Sequence, residues 1–97
     1  MDSKTAMDGL GFCLARGYVG SYVEVIGGGD LGVTVPLENG WAQIDSLGLG
    51  IYPEDWSGED VPMYYFDSTL TAEDFTKSLD WLDNEIAERE DNALLRK

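Results

Sequence analysis

The sequence predicts an α+β domain: an N-terminal helix, an antiparallel sheet of about four strands, and a C-terminal acidic amphipathic helix packed on that sheet. Three observations carry the prediction. Phe75, Leu79, Leu82 and Ile86 recur at steps of four, three and four, which places them on one stripe of a helix. From Tyr18 to Phe66 the apolar period falls to two, punctuated by Gly27-Gly-Gly-Asp30 and Asn39-Gly40. An apolar content of 43%, with three Trp, five Tyr and three Phe, argues for a packed core rather than an acidic coil. Residues 1–97 suit a single domain, and one sheet carrying both helices on one face buries both stripes most simply.

Ser3 to Arg16 reads as the first helix, capped by Ser3 and ended by Gly17. Met7, Leu10 and Leu14 form its apolar stripe, with Ala6 and Cys13 beside them. Gly9 and Gly11 each cost about 1 kcal/mol against alanine in a helix interior, so their presence predicts close packing on the sheet. Tyr22 to Ile26 reads as a strand and Leu31 to Leu37 as the next, with Val33 and Val35 on one face and Thr34 on the other. Pro36 lacks a backbone donor and belongs at an edge or a strand end. Asn39-Gly40 is a hairpin turn, and Trp41 to Ile44 returns. Leu47 to Tyr52 extends the sheet as a bent segment, Pro53 to Asp60 is a polar loop, and Val61 to Phe66 is the last strand. Thr71 then caps the terminal helix, with Asp74 reaching back as in a capping box and Glu73 adding charge at the positive end of its dipole.

Charge narrows the function. Nineteen acids against six bases give −13. Residues 1–53 hold six acids and two bases, a net of −4; residues 54–91 hold thirteen and two, a net of −11; Arg96 and Lys97 return +2. Such a field repels nucleic acid and anionic membrane and steers the chain toward basic protein surfaces. Histidine is absent, which removes the commonest general base and transition-metal ligand. No run of apolar residues is long enough to span a membrane, and Asp2, Lys4 and Asp8 do not make a signal peptide. The lone Cys13 excludes an internal disulfide and suits a reducing, cytoplasmic compartment.

Sites for chemistry are scarce. Gly27-x-Gly29-x-x-Gly32 has the letters of a dinucleotide fingerprint, but a strand follows where a helix must begin, so the glycines read as a turn and no cofactor is expected. Glu54, Asp55, Glu59 and Asp60 are hard oxygen ligands without the alternate spacing of a calcium loop, and no metal is expected. Cys13 has no histidine to activate it, and the acids lie where nothing raises a carboxyl pKa. The chain is therefore expected not to be an enzyme.

A binding surface remains. Glu73, Asp80, Asp83, Glu85, Glu88, Glu90 and Asp91 lie off the apolar stripe of the terminal helix, as does Trp81. Asp74, Trp81 and Glu88 line up along it with Glu85 beside them. Carboxylates at helical spacing imitate rows of phosphates and fit a Lys/Arg groove. Trp81, and Trp56 within the acidic loop, are the candidate aromatic anchors, unless the loop around Trp56 itself covers Trp81.

Through the stretch Ser78-Leu-Asp-Trp-Leu-Asp-Asn-Glu85 the sequence resembles the small acidic inhibitors that phages direct at bacterial nucleic-acid-binding defences, in particular the anti-CRISPR proteins. A type I-F inhibitor of that family has a similar Asp-Trp-Leu-Asp-Asp-Glu run after a helix and a small antiparallel sheet. The likeness spans about eight residues and the element order, and Asp80, Asp83 and Glu85 are its matching acids. It implies a DNA mimic docking on a basic Cas surface. The alternative is an acidic interaction or immunity module whose partner has no link to nucleic acid.

Overall fold

The computed structural model describes the backbone of residues 1–67 and 70–95, and side chains as far as Arg89 apart from those of 68 and 69. Its order is α1 (Ser3–Ala15), β1 (Tyr22–Val25), β2 (Leu31–Leu37), β3 (Gly40–Ile44), β4 (Gly48–Pro53), β5 (Met63–Tyr65) and α2 (Ala72–Leu95). The five strands form one antiparallel meander in sequence order, so β1 and β5 are its edges. The bent segment after Leu47 is a full strand, which makes five where about four were expected. Among the described residues no helix is long and apolar enough to cross a membrane.

Pairing of Val33 with Ile44, Val35 with Ala42, Ala42 with Ile51 and Ile44 with Leu49 puts six apolar side chains on one face. Cys13, Phe75, Leu79 and Leu82 close over them, and together they make the buried core. Both helices thus cover one side of the sheet. Among the described residues no helix covers the other side, the bare face.

α1 departs from its sequence reading in two ways. Its N-cap is Asp2 rather than Ser3, and the Asp2 carboxylate accepts from the Thr5 amide at 2.8 Å. That bond holds Asp2 below the usual carboxylate range, so the cap stands at neutral pH and is lost as acid brings the pH through the lowered folded value. The second departure is rotational. Ala6, Gly9 and Cys13 are buried, whereas Met7 and Leu14 face water. Gly9 sets this orientation, because a Cβ there would lie 2.8 Å from the Phe75 ring. The close approach is to α2 and not to the sheet, and a Cβ at Gly11 would meet nothing within 4 Å. Gly17, at φ 99°, ends the helix: its amide reaches Leu14 O and the Tyr18 amide reaches Cys13 O.

Local signals elsewhere match the structure. The Gly27–Gly29 turn uses positive φ at Gly28 and Gly29 to join β1 to β2. Pro36 lies beyond the last β1 partner of β2, at the end where no donor is needed on that side. Asp45 closes the β3–β4 turn by accepting from the amides of Leu47 and Gly48. Thr71 and Asp74 exchange hydrogen bonds at 2.8 and 3.3 Å in a capping box. Phe75, Leu79 and Leu82 are buried and Ile86 half-buried, as the stripe requires.

Candidate functional site

Two surfaces carry the acids and aromatics singled out in the sequence. On α2, much of the charge is engaged inside the molecule. Asp80 and Asp83 both bind the Arg16 guanidinium, at 2.6 and 3.0 Å, and Asp83 also accepts from the Tyr18 hydroxyl. These bonds raise the Arg16 pKa, while burial and then the bond to Asp83 push the Tyr18 phenol well above its ordinary value. The cluster ties the end of α1 to the middle of α2. Glu73 pairs with Lys77 at 2.9 Å, and Asp74 serves the helix cap. Glu85 is half-buried and Glu88 exposed, while Glu90 and Asp91 lie outside the described side chains.

Arg16→Ala is expected to lower folding stability by about 1 kcal/mol, the scale of a networked pair near the surface rather than a buried one. The loss should shrink in moderate salt, which screens the interaction. Denaturant melts at two salt concentrations check this, and an unchanged midpoint at low salt would refute the tie.

Trp81 is not an exposed anchor. It is half-buried against the core, with its ring 6.1 Å from that of Tyr64. Tyr64 pairs with Leu49 on the helix-covered face, so β5 covers Trp81 and the Trp56 loop does not.

Trp56 belongs to the bare face. Trp41 pairs with Tyr52 across β3 and β4, and alternation turns both away from Ala42 and Ile51. Their rings stack at 5.3 Å, and Trp56 meets them edge-on at 6.4 and 5.0 Å. The loop is shaped to hold it there. The Trp56 indole N–H donates to Glu59 O at 2.7 Å, and Glu59 accepts from the Ser57 amide and hydroxyl, each at 3.0 Å. Its own and the Ser57 amide, with the Ser57 hydroxyl, hold the Glu59 carboxyl below its usual range. Glu59 therefore braces the loop, leaving Glu54, Asp55 and Asp60 as its exposed, unbonded acids among the described residues.

The aromatics form one end of a groove of about 520 Å³ that runs across the bare face. Tyr22, Glu24 and Thr34 line its other end. Glu24 accepts from Thr34 Oγ1 and from Gln43 Nε2, at 3.1 Å for the latter. Both donors reach Oε1, and no described residue donates to Oε2. Sequence reasoning missed Tyr22, Glu24, Trp41, Gln43 and Tyr52. The signal was present, since the inward faces of Val33, Val35, Ala42 and Ile44 fix which residues turn outward.

No known family, curated protein or solved structure matches the chain.

Proposed function

We propose that the chain is a non-enzymatic inhibitor that covers a Lys/Arg-rich, nucleic-acid-binding protein surface by standing in for the polyanion, in the cytoplasm of a host cell. One observation carries this reading: no Lys or Arg occurs between Arg16 and Lys77, so the sheet and its loops carry no basic side chain, and of their carboxylates the N-terminal ammonium compensates Asp30. Glu54, Asp55 and Asp60 stand exposed on a loop that hydrogen bonds hold in one shape. Fixed, uncompensated carboxylates are drawn to any groove that attracts phosphates, and long-range steering raises the encounter rate. The likeness of Ser78–Glu85 to the anti-CRISPR helix makes a DNA-binding Cas subunit the first target to try. Cys13 supports a role without nucleophilic chemistry, because burial pushes its thiol up to about 11.

The test is displacement of fluorescent duplex DNA from such a subunit. The chain should displace the DNA. Reversing Glu54, Asp55 and Asp60 together to Lys should raise the concentration needed by about tenfold or more. Failure to displace DNA at saturating concentration would overturn the proposal. A second reading is favoured by the Trp41–Tyr52–Trp56 cluster, which phosphate imitation does not need. It is an acidic interaction or immunity module whose basic partner has no nucleic-acid role, and which the chain binds without displacing DNA.

A further inference from the structure

We infer that the groove on the bare face of the sheet receives an arginine side chain of the partner, stacked on the Trp41–Tyr52–Trp56 cluster and paired with Glu24. This rests on the proposal that the partner surface is basic. The occupant follows from charge and shape. The groove holds one carboxylate, Glu24, whose Oε2 takes no hydrogen bond from the described protein. No cation lies on any strand, and the acids of the loop stand at the aromatic end. A second copy of the chain brings the same acids and no base from its own sheet, and an anion meets Glu24 with no counter-charge.

Among cations, the geometry favours guanidinium over ammonium. Trp41 and Tyr52 lie nearly parallel, 12° apart, while Trp56 stands across them at 86° and 76°. A planar guanidinium stacks on such ring faces and still presents its edge to a carboxylate, whereas an ammonium is a compact and strongly hydrated point charge. Glu24 is held ready, because Thr34 and Gln43 both grip its Oε1. Gly50, facing Gln43 in the register, leaves room for the Tyr52 ring, which with the Met63 sulfur lies over it, 3.1 and 2.6 Å from where a Cβ would sit. The groove volume accommodates an arginine side chain with the backbone that bears it.

The experiment titrates the full chain with three short capped peptides that differ only in carrying arginine, lysine or citrulline, read by tryptophan fluorescence and calorimetry. The arginine peptide should bind about fivefold to tenfold more tightly than the lysine peptide, and the citrulline peptide should not bind measurably. Trp56→Ala and Glu24→Gln should each abolish the preference for arginine. The control is Asp8→Asn, on α1 and outside the groove, which should leave the preference intact. Thermal melts identify any variant that has lost its fold, and Trp56→Phe replaces Trp56→Ala if that one has. Equal binding of the arginine and lysine peptides overturns the inference. So does an arginine preference that survives both groove variants, or tighter binding of the neutral peptide. The two readings fail separately: DNA displacement without peptide preference condemns only the groove, and peptide preference without displacement condemns only the inhibitor.

Discussion

Phe75→Ala should cost about 3–5 kcal/mol of folding stability, the range for truncating a buried aromatic. Phe75 of α2 joins α1 and the segment that follows β5. Its ring stacks on Phe12 of α1 at 5.7 Å, meets Phe66 beyond β5 at 6.1 Å, and fills the space that Gly9 leaves open. Truncation empties that junction, and the backbone of two helices cannot collapse into it. A domain of this size is stable by roughly 5–15 kcal/mol, so the variant sits near its limit. The melting temperature should fall by about 15–30 °C. Phe75→Leu keeps most of the volume and should recover most of the loss. A drop of only a few degrees for the alanine variant would show that the junction repacks, and the assigned role of Phe75 would be wrong.

Trp81→Ala should cost about 2 kcal/mol of folding, less than a fully buried aromatic because one side of the indole remains in water. Dissociation from a basic partner should not change. Trp81 lies in the DWLD run that resembles the anti-CRISPR helix, so the mimic reading by itself makes it an anchor. The contact with Tyr64 makes it part of the fold instead. Melts and dissociation rates measured on this one variant separate the two roles. An unchanged melt with faster dissociation would return Trp81 to the interface.

The terminal helix was legible because its signals are local. Thr71, Asp74 and the Phe75-Leu79-Leu82 stripe lie within a few turns of one another, and no partner is needed to interpret them. The turns at Gly27–Gly29 and Asn39-Gly40 are local in the same sense. α1 was misjudged because its apolar residues are spread around the helix, and Met7 and Leu14 compete with Ala6 and Cys13 for the core. A distant residue, Phe75, decides between them by fitting only against Gly9. Asp80 and Asp83 looked like free charge for the same reason. Arg16 stands far away in sequence, and only the fold brings it to them. The bare face needed strand register as well as alternation, since Trp41, Tyr52 and Trp56 meet only after β3 and β4 pair.

The sheet is also open at both ends, and this bears on how the protein behaves in bulk. Among the described residues β1 and β5 have no partner on their outer sides, and Val25 and Tyr65 in those strands are exposed. Free edges are templates for strand addition by another copy. At neutral pH the charge of −13 keeps copies apart, and β5, only three residues long, offers little to pair with. Near the isoelectric point, about 4.1, that repulsion vanishes while the edges and the aromatic face remain. Turbidity should therefore peak around that pH and clear again on either side of it. The acidity on which the proposed basic partner rests is the same property that sets copies of the chain apart by charge.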